Sequence, residues 1–317
     1  MRFLFAVLFL LIKTLCAQDG AHAFDYDAKA PLDLEEAGVE HRGDVAVQDI
    51  SYASPRGGRV PAYLVVPDGP GPFAAILWGH WYWPNSDFFN RKEFLDEAVV
   101  LAHAGVVSLL TTGPGARPGH VDDKNPLSDR QATDLIQAIV DMRRGADLLL
   151  ARRDVDPSRL AYVGHSYNAE VGGFLSGIDQ RFKAFVLMAG SLSVEVDAQS
   201  DMYKQFRQKV GPEKFDAFVA KYQWLDPGKF VSRAAPASVL LEYASQEDFL
   251  TPMRAKQYAA IVSEPKQLKI YDAPHALNAE ARRDRIAFLT EQLKLKPLPP
   301  DQIDAIPDLP QPPKPTQ

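Results

Sequence analysis

The stretch Arg159-Leu160-Ala161-Tyr162-Val163-Gly164-His165-Ser166-Tyr167-Asn168-Ala169-Glu170 decides how this chain is read. A short β-rich run ends at a glycine, a serine follows two residues later, and a helix-compatible segment begins. This is the layout of a nucleophile elbow, a tight strand-to-helix turn that exposes a serine hydroxyl above the end of a parallel sheet. The usual pentapeptide is Gly-x-Ser-x-Gly, and here its last position is Asn168. The motif is incomplete, so the rest of the chain has to support it.

A serine hydroxyl is a weak nucleophile at neutral pH. It needs a base within hydrogen-bonding reach, and the base needs a carboxylate to fix its tautomer. After such an elbow the expected order is serine, acid, histidine, each beyond a strand end. The strand-like run 238–243 leads into Ser245-Gln246-Glu247-Asp248-Phe249-Leu250-Thr251-Pro252. Asp248, with a proline four residues on, is the expected acid, and Glu247 is its rival. The run ending at Tyr271 leads into Asp272-Ala273-Pro274-His275, and His275 is the only histidine after His165. Ser166, Asp248 and His275 thus form the expected triad. The plainer reading is that Asp248 caps a helix starting at Pro252 and His275 is a surface residue.

Acyl transfer also needs donors for the developing oxyanion. One is expected from the backbone N–H of Tyr167. The other is expected from the loop Gly79-His80-Trp81-Tyr82-Trp83, with Trp81 first and Tyr82 next. His80 and His165 read as structural. The aromatics Trp81, Tyr82, Trp83, Phe88 and Phe89 either wall an acyl or aryl pocket or pack beneath a cap. Trp81, Tyr82, Asn168 and Trp224 are the candidate pocket residues.

Around the elbow the chain alternates strand and helix. Strands are expected at 74–78, 106–110, 160–163, 184–188, 238–243 and 267–271. Helices are expected at 93–103, at 279–293, and from a Ser128–Gln131 capping box onward. This pattern implies a mostly parallel sheet with helices on both faces. Before it, 45–52 and 59–66 read as an antiparallel hairpin across a Pro55/Gly57-Gly58 turn. Residues 24–44 read as irregular surface chain and 154–158 as a turn. Segment 191–233 reads as a small helical cap whose aromatics mostly form its own core. From Pro297 the chain is proline-rich and reads as a disordered tail.

The chain has 317 residues, 46% hydrophobic and 24% charged, with net charge −6. That gives no basic footprint for nucleic acid. The seven histidines are scattered and Cys16 is the only cysteine, so no metal site is expected. Arg2 precedes an apolar run at 3–12, too short for a membrane span, and small residues follow. Residues 1–23 therefore read as an export signal for a periplasmic or extracellular protein, with cleavage after Ala17 or Ala23. Cys16 as a lipid-anchor site is disfavoured by Leu15 before it. Either cleavage removes Cys16, leaving a cysteine-free chain suited to an oxidising compartment.

Over residues 45–295 the chain resembles the α/β-hydrolase superfamily, in particular dienelactone-hydrolase-like and acyl-peptidase-like serine esterases. The resemblance rests on Asp154-Val155-Asp156-Pro157-Ser158-Arg159, Gly164-His165-Ser166-Tyr167, Asp248-Phe249-Leu250-Thr251-Pro252 and Ala273-Pro274-His275. It implies an α/β-hydrolase fold, with Ser166 as nucleophile, His275 as general base and acid, and Asp248 as its orienting carboxylate. A small-molecule ester is the implied substrate and no cofactor is implied. Three positions depart from the pattern: serine replaces the cysteine of dienelactone hydrolases, Asn168 replaces glycine, and Gly79-His80-Trp81 replaces the usual His-Gly dipeptide. An amide-cleaving enzyme and a degenerate hydrolase that only binds a ligand are the alternatives. The short segment before residue 45 reads as too small for the propeller domain that acyl-peptidases use to exclude large substrates, so an ester is expected over an amide.

Overall fold

The computed structural model describes residues 20, 22–83, 86–121, 123, 125, 127–190, 193–247 and 250–311. One nine-stranded sheet organises them. Its strands are β1 (Glu35–Arg42), β2 (Val45–Ala53), β3 (Arg59–Val66), β4 (Phe73–Gly79), β5 (Val106–Thr111), β6 (Val155–His165), β7 (Ala184–Met188), β8 (Ser238–Ala244) and β9 (Lys266–Tyr271). The spatial order is β1-β2-β3-β5-β4-β6-β7-β8-β9. Strands β1, β2, β3 and β5 pair antiparallel, and from β5 across to β9 every pairing is parallel. The expected hairpin is β2 with β3.

Period-two alternation sends each central strand into two cores. On β4, Ala75 and Leu77 enter one and Ala74, Ile76 and Trp78 the other; on β6, Leu160 and Tyr162 oppose Ala161 and Val163. The first core is closed by α2 (Asp129–Leu150) and α3 (Tyr167–Ile178), through residues such as Ile139 and Phe174. The second is closed by α1 (Leu95–Ala102) and α9 (Ala279–Leu293), through Leu101 and Leu289. Buried on both faces, these strands have the continuous apolar sequences a parallel sheet needs. A buried ion-pair network ties the second layer together. Arg285 of α9 holds Glu97 of α1 at 2.7 Å and Glu242 of β8 at 3.0 Å.

After β4 the chain goes to β5 on one side and then, through β6, to the other. That reversal opens a crevice beyond the carboxyl ends of β4 and β6, where ligands bind in open α/β sheets. Between β7 and β8 come four short helices: α4 (Val194–Ala198), α5 (Asp201–Val210), α6 (Pro212–Tyr222) and α7 (Pro227–Val231). They occupy the segment read as a cap. Helix α8 (Pro252–Ile261) starts where Pro252 was expected to open a helix.

Four expectations need correction. Residues 35–42, read as irregular, form β1; its polar, exposed side chains carry no alternation, and backbone pairing to β2 holds it. β6 begins at Val155, inside the expected turn, pairs with Phe73, and resumes pairing at Leu160 after a register shift. Ser128 sits at the N-cap of α2 but makes no side-chain capping bond, so the expected capping box is absent. The tail from 297 is folded as far as it is described. It contains α10 (Pro300–Asp304), buries Ile306, and pairs Asp304 with Arg283 at 2.7 Å and Asp308 with Arg282 at 2.9 Å. Prolines were read as disorder, but they punctuate a strap over α1 and α9.

If this strap is structural, Ile306→Ala should lower the unfolding free energy by about 2 kcal/mol, the low end for emptying a buried aliphatic site. Urea titration checks it, and an unchanged midpoint would mean that the tail adds nothing to stability.

Candidate active site

At the end of β6 the backbone turns sharply. Ser166 has φ 55° and ψ −113°, a conformation L-residues adopt only under strain. Its N–H donates to the Met188 carbonyl at 2.7 Å, and its own carbonyl accepts from Ala169 at 2.9 Å. So tight a turn needs bare backbone beside it. A Cβ on Gly164 would lie 2.2 Å from the Asn168 carbonyl oxygen.

Asn168 resolves two of the sequence departures at once. Its side chain packs over Gly79, where an added Cβ would sit 2.5 Å from the Asn168 Cβ. Its Nδ2 donates to the His80 carbonyl at 2.6 Å. The glycine absent from the elbow thus reappears across the sheet on β4, and Asn168 uses the space to pin the loop. Fully buried in this role, Asn168 does not line the pocket as expected. His80 is held as well: Nδ1 donates to the Trp81 carbonyl at 2.7 Å and Nε2 accepts from Gly113 N–H at 2.9 Å. Burial pushes its pKa down, consistent with this neutral tautomer.

The Trp81 N–H, expected to face an oxyanion, donates instead to Glu93 Oε2 at 2.5 Å. The other Glu93 oxygen meets His165 Nδ1 at 2.5 Å, and both side chains are fully buried. His165 Nε2 then donates to the His275 carbonyl at 3.0 Å. A carbonyl can only accept, so Nε2 is the donor in this contact. Glu93 links the β4 loop to the elbow, and through His165 to the His275 loop. Sequence reading missed it, because a lone glutamate fourteen residues after a strand carries no motif.

His275 Nδ1 lies 2.9 Å from Glu247 Oε2. The carboxylate on the histidine is therefore the rival acid; Asp248 lies outside the described residues. The His275 ring packs 4.2 Å from that of Trp81 and stacks on His165 at 5.2 Å and 23°. Its Nε2 is buried with no hydrogen-bond partner among the described residues. Burial lowers the His275 pKa, outweighing the opposing pull of Glu247.

A cleft of 740 Å³ opens between α2, α3 and the cap helices α5 and α6. It reaches the elbow through Tyr82 and Tyr167, while Ser166 and His275 are not on its wall. Its far side is aromatic, with Tyr203, Phe206, Phe215 and Phe218. Some of these rings also pack edge to face, as Tyr203 and Phe206 do on Phe215 at 5.0 and 5.8 Å, so they serve both as cap core and as cleft wall. Of the four pocket candidates only Tyr82 lines this cleft. Trp81 is buried against the two histidines, and Trp224 packs on Phe24. Among the described residues no group of three or more His, Cys, Asp or Glu side chains could hold a metal. No described helix is long and apolar enough to cross a membrane.

No protein-family profile matches the sequence. Structural likeness is extensive. An acetyl xylan esterase from Paenibacillus sp. R4 superposes with TM-score 0.69 over 87% of this chain and 93% of its own, at 19% identity. Acetyl xylan esterase 1 from Thermoanaerobacterium sp. JW/SL YS485 gives 0.71 over the same shares, at 14% identity. The chain has the α/β-hydrolase fold. A glucuronoyl esterase from Solibacter usitatus shares it at TM-score 0.61 and 14% identity, over 83% of this chain and 86% of that one. In sequence, YtaP of Bacillus subtilis (strain 168), which is named as a hydrolase, is 24% identical over 177 residues. That match spans 51% of this chain and 58% of YtaP.

The Asn168 arrangement yields a counter-intuitive expectation for this α/β-hydrolase fold. Asn168→Gly restores the usual pentapeptide but strips the bond to His80 and leaves a void over Gly79. It should destabilise the protein by about 1–3 kcal/mol. Chemical denaturation tests this, and a neutral or stabilising outcome would contradict the role assigned to Asn168.

Proposed function

We propose that this protein is a serine hydrolase of carboxylic esters, with Ser166 as nucleophile, His275 as general base and acid, and Glu247 as the carboxylate that orients His275. The observation that carries the reading is the strained Ser166 turn joined, through His165, to a histidine whose Nδ1 is held by a carboxylate and whose Nε2 has no partner among the described residues. In this mechanism His275 Nε2 takes the Ser166 proton as the hydroxyl oxygen attacks the ester carbonyl. Glu247 fixes the tautomer and stabilises the imidazolium. His275 then protonates the leaving alcohol, and in the second half it deprotonates the water that releases the acid.

The oxyanion is assigned to the Tyr167 N–H, at the first residue of α3, where helix amides have no intrahelical acceptor. With the Trp81 N–H taken by Glu93, the second donor is assigned to the next amide in the loop, that of Tyr82. The fold neighbours named as carbohydrate esterases support ester over amide chemistry. Export remains part of the proposal. N-terminal sequencing of protein recovered outside the cytoplasm should begin at Gln18 or Phe24, and a retained Met1 would count against it.

The test is hydrolysis of p-nitrophenyl acetate by purified protein. Ser166→Ala should abolish turnover, and Glu247→Gln should cut kcat by ~10²–10⁴, the scale seen when a triad carboxylate is neutralised. Asp248→Asn should cost far less; the reverse ranking would return the acid role to Asp248. Because the His275 pKa is lowered, the base stays unprotonated further into acid. The acidic limb of kcat/KM should therefore lie below the ordinary histidine range. Turnover that survives Ser166→Ala would overturn the reading.

A further inference from the structure

Glu170 lies one helical turn beyond Ser166 on α3 and lines the cleft. It is half-buried, and among the described residues it has no hydrogen-bond or ion-pair partner. Its neighbours do not balance its charge, for the groups that act on it most are two more carboxylates, Asp197 of α4 and Asp226 before α7. Those two have partners of their own. Arg254 of α8 pairs with Asp197, and Asp226 accepts from the Gly228 N–H at 2.9 Å. Across Tyr167, Asp134 of α2 lies 3.6 Å from Arg130 and 3.9 Å from His120. Among the described residues no cation pairs with Glu170. Burial and the two neighbouring carboxylates push it up to about 7, so it gains its charge only near neutrality.

A half-buried carboxylate beside aromatic walls suits a particular ligand. Tyr82, Tyr167, Tyr203 and Phe206 share the cleft with Glu170. Aromatic faces attract cations and do so best when water is excluded. A hydroxyl donor would hydrogen-bond to Glu170 but leave its charge uncompensated; an ammonium group would neutralise it. We propose that the cleft holds a subsite for an ammonium group on the ester substrate, with Glu170 as its counter-ion. This deepens the hydrolase reading and rests on it for catalysis. The subsite itself does not need turnover to exist.

Two measurements separate the claims. The first compares acetylcholine with neohexyl acetate, its uncharged carbon isostere, on the alkaline side of about 7, where Glu170 is ionised. The ratio of their kcat/KM values should favour the cationic ester and fall roughly tenfold or more in Glu170→Gln. A wild-type ratio that Glu170→Gln leaves unmoved would overturn the subsite, as would preferred turnover of acetylated sugars without dependence on Glu170. The second measurement titrates tetramethylammonium into the full-length protein by calorimetry. Binding that strengthens as pH rises through about 7 and is lost in Glu170→Gln supports the subsite even if neither ester is hydrolysed. Failure of hydrolysis alone would then count against the serine mechanism. Absence of binding in folded wild-type protein would overturn the subsite whatever the esters do.

Discussion

The close passage of backbone around Ser166 is the constraint on which the rest of the site depends. A non-glycine residue held at φ 55° persists only where surrounding contacts over-determine it. Here Met188 takes its N–H, Ala169 donates to its carbonyl, and Gly164 leaves room for the Asn168 carbonyl. Strand pairing supplies the rigid part, since β6 is flanked by β4 and β7, all three with wholly buried carboxyl ends. The helix that follows then starts in a fixed direction, with its first amide above the sheet end.

From that turn the site is assembled by buried polar contacts, in the manner of supporting shells that hold reactive groups in place. Asn168 reaches sideways to the β4 loop and His165 reaches to the His275 loop. Glu93 joins both. Each contact satisfies groups whose burial without a partner would be costly. The aromatic cluster at 81–89 fits into this arrangement. Trp81 forms the floor beneath His275 and His165, and Phe89 packs behind it at 4.7 Å. Of the two readings of this cluster, packing describes Trp81 and Phe89 best, since both sit beneath the two histidine rings or behind Trp81.

The sequence was legible where chemistry and periodicity coincide. The buried strands announced themselves as short apolar runs, and the elbow by its glycine and serine at the end of one. His275 was reachable because no other histidine follows His165. Elsewhere the signal was absent for physical reasons. β1 is an edge strand whose exposed side chains face no core, so no alternation marks it. Glu247 and Asp248 are adjacent in one loop, and a one-residue choice depends on backbone direction, which composition does not encode. Asn168 and Gly79 are 89 residues apart, and their mutual dependence is visible only once β4 and β6 lie side by side. The folded strap at 300–311 was hidden because prolines mark both disorder and tightly turned chain.

The central claim is that Ser166 is an activated nucleophile, and a fluorophosphonate probe tests it most directly. Peptide mapping of the labelled, folded protein should find one adduct per chain, on Ser166. No adduct on folded protein, or an adduct confined to another residue, would contradict the account.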